Sequence, residues 1–196
     1  SEMTRKLVLP DNVHVFESRR PTTFIRDDLN VALHGHSFKV AATTENLVTG
    51  YPLPIAGMFN MGVLHTALEG NAAHANYAPC SLDELHAKGY QYWALGHVHE
   101  FKQWDGPSVV VFPGNLQGRN IRETGVHGAV LVHVNDGESI RVERLALDVL
   151  RRCEGPVRLG SITIVRVVLT AFSGRSATCR SSTASGREYV PIMTSA

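Results

Sequence analysis

The sequence predicts an α/β fold, and three observations carry that prediction. One mostly apolar run, Phe59 to Leu64, closes on His65. A second, Tyr90 to Leu95, closes on Gly96-His97-Val98-His99. Between them Ser81-Leu82-Asp83-Glu84 opens a short helix, with Ser as N-cap, Glu at the third helical position and Gly89 as the stop. Strand, helical crossover and strand make a βαβ unit. Its strands must run parallel, which brings His65 and His97 to the same edge.

That edge is where an open α/β sheet binds its ligands, beyond the carboxyl ends of the strands. If the chain stays extended after Gly96, His97 and His99 point the same way and Val98 the other. Gly96 is the residue expected to let the backbone turn there. Imidazoles gathered on one rim suit a divalent metal, so His65, His97 and His99 are the candidate ligands. The plainer alternative is that Leu64 and Leu95 fill a core while the histidines decorate its surface. Three histidines at two strand ends weigh against it.

The remaining elements follow in order. Asn12 to Phe16, Thr22 to Ile25 and Asn30 to Leu33 read as short strands between turns. His34-Gly35-His36 is a second pair of spaced histidines, but no comparable apolar run precedes it. It reads as a turn with ordinary polar histidines, ligation being the alternative. Asn46 to Pro54 is loop-like, and Ala67 to Pro79, carrying His74, Asn76 and Tyr77, is expected to cross the mouth of the site. Gly128 to Val134 and Ser139 to Leu147 alternate around Asn135-Asp136-Gly137, a hairpin expected to close the sheet.

Ahead of that hairpin, strand Ser108 to Phe112 runs into Pro113-Gly114-Asn115-Leu116-Gln117-Gly118-Arg119-Asn120-Ile121-Arg122-Glu123. Glycines, amides and two arginines suit a phosphate backbone, because Arg makes charge-assisted, bidentate contacts. Asn115, Arg119 and Arg122 are the candidate substrate-binding residues. The alternative is a structural connection whose arginines pair with Glu123. The loop lacks the Gly-Lys-Ser/Thr ending of a P-loop, so nucleoside triphosphate binding is not indicated.

Composition separates two regimes. Residues 1–150 hold 12 Lys+Arg against 16 Asp+Glu, a net of −4. Residues 151–196 hold 7 arginines against 2 glutamates, a net of +5, and all 10 histidines lie before them. The chemistry therefore belongs to residues 1–150. Residues 151–196 form a basic Ser/Arg-rich tail with one strand-like run, Ile162 to Phe172. That tail suits nucleic-acid binding, or else is the text of an out-of-frame coding end, which is the reading favoured. No run approaches the ~20 apolar residues of a membrane span, and no apolar signal core follows the charged opening. Cys80, Cys153 and Cys179 are scattered without a C-x-x-C pair, as expected of reduced thiols in a cytoplasmic protein.

Leu64-His65-Thr66 followed by Gly96-His97-Val98-His99 resembles the last two metal-binding motifs of the calcineurin-like metallophosphoesterases. Asn76-Tyr77-Ala78-Pro79-Cys80, Gly89 to His97, and Phe112 to Arg119 are similar to the DNA-repair exonuclease branch related to the SbcD nuclease subunit. The resemblance covers about residues 3–150. It implies a mixed β-sandwich flanked by helices, with residues 1–150 as the C-terminal part of the catalytic domain. It also implies two divalent ions, Mn²⁺ in the expectation, with His65 and His97 on one and His99 on the other.

The family's opening motifs, D-x-H, a Gly-Asp and G-N-H-D/E, occur nowhere in the chain. The bridging aspartate and the catalytic histidine are therefore expected upstream of Ser1. The resemblance implies that the parent is a metal-dependent phosphoesterase, a DNA exonuclease in repair, with DNA, an SbcC-like ATPase subunit and a second copy of itself as partners. The isolated chain is expected to be inactive. The alternatives are a small phosphodiester or cyclic-nucleotide hydrolase, and a non-catalytic remnant that binds DNA or a protein partner.

Overall fold

The computed structural model describes residues 9, 11, 13–38, 43–68, 77–135, 137, 139–159 and 162–172, with backbone alone for 139, 153–159 and 162–172. The expected crossing loop lies outside the described residues from 69 to 76, His74 included, and the tail does so beyond 172. The described chain divides into two compact units, the first reaching Pro113 and including Val134–Ile140, the second holding Gly114–His133 and the residues from Arg141 onward.

The first unit is built on Thr22–Arg26 (β1), Val31–Gly35 (β2), Phe59–His65 (β3), Tyr92–Gly96 (β4), Lys102–Trp104 (β5) and Val109–Phe112 (β6). They form one mixed sheet in the order β1-β2-β3-β4-β6-β5. The centre, β2, β3, β4 and β6, is parallel, and β1 and β5 are antiparallel edges. Burial follows position. β3 is buried along most of its length, as a strand covered on both faces must be, whereas β1 alternates between exposed and half-buried.

The crossover from β3 to β4 carries Leu82–Ala87 (α1), the α-helix among the described residues. The capping box forms as expected. Glu84 N donates to Ser81 Oγ at 3.2 Å and Ser81 N to Glu84 Oε2 at 2.8 Å, satisfying two helix-end donors reciprocally. Gly89, at φ +80°, ends the turn. Leu85 is buried, and its carbonyl accepts the Trp93 indole N–H at 3.0 Å, which ties the helix to β4. Around this contact lies the core: Leu64, Leu85, Tyr90, Trp93, Leu95, Val110 and Phe112, with Tyr51 and Val48 from the preceding loop. Burying each large side chain stabilises by about 1.5–3 kcal/mol.

Several expectations change. Residues 13–16 are irregular rather than strand. His34 and Gly35 belong to β2 instead of a turn. The hairpin Gly128–Asn135 (β7) with Ser139–Ala146 (β8) forms around Gly137 at φ +72°, but as a two-stranded sheet of its own. The place beside β6 is taken by β5. In the second unit, Leu150–Leu159 (β9) and Ile162–Phe172 (β10) pair antiparallel, with a shift in register between Ile164 and Val167.

Candidate metal centre

β3 and β4 end level with each other: His65 is the register partner of Gly96, and Thr66 N donates to Gly96 O at 3.2 Å. His97 therefore begins one step beyond the end of the sheet. The turn expected at Gly96 occurs at His97, whose φ is +100°. A side chain bearing a Cβ adopts that conformation at a cost of about 1–3 kcal/mol, which the surroundings must offset. The H-x-H stretch is consequently not extended. Val98 turns inward and is 6% exposed, while His97 and His99 are half-buried.

The consequence is a direct meeting of imidazoles. His97 Nδ1 lies 3.2 Å from His65 Nε2, with the rings nearly perpendicular at 74°. Burial, reinforced by the neighbouring His97 and His99, lowers the His65 pKa to about 4, so its ring is neutral near pH 7. The Tyr77 ring stacks on His97, centroids 4.9 Å apart and 7° from parallel. Phe38 stands edge-on to both His65 and Tyr77.

The other sequence candidates fall elsewhere. His34 is fully buried, its Nδ1 2.8 Å from Thr23 Oγ1 and its Nε2 3.0 Å from Asn60 Oδ1, with Tyr90 stacked on its ring. It is a core histidine, which removes it from the ligand alternatives. Asn115, Arg119 and Arg122 belong to the second unit. There the Glu123 carboxylate accepts Arg119 N at 2.7 Å, Asn120 Nδ2 at 2.7 Å and Asn115 Nδ2 at 3.5 Å. Glu123 thus closes the loop through a main-chain amide and side-chain amides. Arg119 and Arg122 are exposed, and among the described residues neither guanidinium has a carboxylate partner.

No family model matches the chain. It is 37% identical over 145 residues to the uncharacterised metallophosphoesterase YhaO of Bacillus subtilis (strain 168), a match covering 72% of this chain and 36% of that protein. Over that stretch the chain is similar to a protein named as a metallophosphoesterase. It spans little more than a third of the relative's length.

A metallophosphoesterase relative implies divalent metal, and the His65–His97 pair can be tested against that. Two nitrogens each about 2.0–2.1 Å from one ion stand roughly 2.9–3.4 Å apart, from right-angled to tetrahedral geometry. The observed 3.2 Å lies within that span. Among the described residues His65 Nδ1 is buried without a hydrogen-bond partner, and Nε2 is the nitrogen placed to meet an ion. The pair fits two positions around one ion. Among the described residues, however, no group of three or more His, Cys, Asp or Glu side chains is placed to hold a metal. Sequence reasoning placed Tyr77 at the mouth of the site but not on the His97 ring, and missed Phe38, since ring stacking between distant residues leaves no periodic trace.

Proposed function

We propose that the chain supplies part of the centre of a two-metal phosphodiesterase, with His65 and His97 on one ion, His99 toward the second, and Mn²⁺ as the metal. The observation that carries this reading is the 3.2 Å approach of His65 Nε2 and His97 Nδ1 at the carboxyl ends of paired parallel strands. When bound, paired divalent ions supply charge stabilisation for displacement at phosphorus and an activated nucleophile. The chain's own residues prepare the place. The sheet holds His65 in register, burial keeps its ring neutral, and the turn at His97 brings its Nδ1 alongside His65 Nε2.

The finer reading is a DNA exonuclease of the SbcD-related branch acting in repair in the cytoplasm, as a homodimer with an SbcC-like ATPase subunit. Its support is the motif resemblance together with Arg119 and Arg122, exposed on a loop organised by Glu123 and suited to phosphate contact. A bridging carboxylate and a histidine assisting the leaving group would come from elsewhere in the whole protein. For the chain taken alone, the lack of a larger ligand cluster among the described residues favours a second reading, a binding module without catalysis.

The test compares the 196-residue chain with a protein extended to the relative's length, on bis-p-nitrophenyl phosphate and on linear DNA in Mn²⁺. Metal-dependent cleavage of both substrates by the extended protein, lost on His65→Ala, is expected. Cleavage of the small ester but not of DNA would replace the exonuclease with a small phosphodiester hydrolase. Inactivity of the extended protein, with DNA binding retained, would establish the module.

A further inference from the structure

The half-turn at His97 needs something to hold it, and the structure supplies an aromatic cluster. Tyr77 lies flat on the His97 imidazole at 4.9 Å and 7°, and stands edge-on to His65 at 5.3 Å and 75°. Phe38 meets Tyr77 edge-on at 5.3 Å and His65 at 5.8 Å. One ring thus touches both imidazoles, by its face on one side and at a right angle on the other. The angle between His65 and His97, 74°, matches the angle Tyr77 makes with His65. The two stacked rings thus share one orientation relative to His65.

Tyr77 can serve as a template because its backbone is anchored to the strand that carries His65. Its carbonyl accepts Ala67 N at 2.8 Å, the Ala78 carbonyl accepts Thr66 Oγ1 at 2.7 Å, and Ala78 N donates to Thr43 O at 2.7 Å. Leu68 N donates in turn to Thr66 Oγ1 at 3.0 Å. These bonds close a short circuit from His65 through Thr66 and Ala67 to Tyr77. These backbone bonds tie Tyr77 to the His65 strand without involving His97.

We propose that Tyr77 is a positioning residue whose ring face fixes the plane of the His97 imidazole, holding Nδ1 at 3.2 Å from His65 Nε2. The metal consequence rests on the His65–His97 ligand reading given above. The ring geometry does not. A ring face, not a hydroxyl, is the working part, so phenylalanine at this position should serve as well as tyrosine.

The experiment uses the 196-residue chain carrying Tyr77→Phe, Tyr77→Leu or Tyr77→Met, each checked for native circular dichroism. Without metal, ¹H–¹⁵N spectra of the imidazoles should show ring-current shielding of the His97 protons and a single tautomer at His65 and His97. Tyr77→Phe preserves both signatures, while Tyr77→Leu and Tyr77→Met lose the shielding and mix the tautomers. In Zn²⁺ titrations the two aliphatic variants should bind at least about tenfold more weakly and Tyr77→Phe within about twofold of the parent, the loss typical of residues that orient metal ligands. Unchanged imidazole spectra in both aliphatic variants would overturn the proposal, as would a Tyr77→Phe variant as impaired as they are. If the parent shows no Zn²⁺ binding that His97→Ala weakens, the ligand reading fails, and the metal-free spectra still decide the role of Tyr77.

Discussion

Gly62 on β3 and Trp93 on β4 are cross-strand partners, and the indole lies so close across the glycine that a Cβ at position 62 would clash with the ring. The indole cannot easily retreat, because its Nε1 is bonded to Leu85 O and the ring is fully buried. Gly62→Ala should therefore overpack the core and cost about 1–3 kcal/mol in urea unfolding. Gly50→Ala is the control, since its Cβ meets only Pro21 at 3.6 Å and should cost less than about 1 kcal/mol. The same pairing sets His65 opposite Gly96, so Gly62→Ala should also weaken metal binding. Equal stabilities for the two variants would show that the indole shifts without strain.

Asn60 carries a second prediction. Its Oδ1 accepts Ile55 N at 2.7 Å, its Nδ2 donates to Ile55 O at 3.0 Å and Met58 O at 2.8 Å, and Oδ1 also faces His34 Nε2. Because Nδ2 is committed to two carbonyls, Oδ1 is the acceptor and His34 Nε2 must donate. The neutral ring then accepts from Thr23 Oγ1 at Nδ1. Asn60→Ala leaves several buried groups unpartnered and should cost about 3 kcal/mol.

The same network predicts a pH dependence. Burial lowers the His34 pKa from 6.5, with the Asn60 bond opposing and Lys88 adding to the shift. The unfolded chain therefore takes up its proton first as pH falls. The stability this gives is complete above pH 6.5 and is lost progressively as pH falls from 6.5 toward the folded value. The difference in melting temperature between the parent and His34→Gln should narrow over that range. A pH-independent difference would show that His34 does not titrate on unfolding.

Much of the first unit was legible because its signals are local. The capping box at Ser81 and Glu84, the stop at Gly89 and the apolar runs ending in His65 and Gly96 each occupy a few consecutive residues, and each formed. What escaped depends on partners distant in sequence. His34 read as a turn residue because no comparable apolar run precedes it and Gly35 follows, yet tertiary burial between Thr23, Asn60 and Tyr90 makes it core. β5 is three residues, Lys102–Trp104, too short to carry an alternation. The shift of the turn from Gly96 to His97 runs against backbone preference, and the Tyr77 ring stacked on His97 lies 20 residues away in sequence.

The glycine-rich loop gives a prediction for the extended protein bound to DNA. If Arg119 and Arg122 contact backbone phosphates, Ala at either should weaken binding similarly across sequences and reduce the salt slope by about 1. Glu123→Gln tests the scaffold separately. It keeps one acceptor oxygen for Arg119 N or Asn120 Nδ2, whereas Glu123→Ala removes both and should disorder the presentation of the arginines. Unchanged salt slopes in both arginine variants would return the loop to a purely structural role.

The last prediction concerns metal binding and turnover by the 196-residue chain itself. Two imidazole nitrogens at 3.2 Å offer an ion a pair of ligands, and no larger ligand group exists among the described residues. Affinity grows with ligand number and geometry, so calorimetry should find one weakly bound transition ion, Zn²⁺ held more tightly than Mn²⁺. His65→Ala and His97→Ala should each abolish it. Catalysis by paired ions needs both held at fixed spacing, and groups that act together lose most of their joint effect when part of the set is missing. The 196-residue chain should therefore leave bis-p-nitrophenyl phosphate and linear DNA intact in Mn²⁺. Tight binding of two ions unaffected by His97→Ala, or metal-dependent turnover near the rate of the extended protein, would mean that the site is made of other residues.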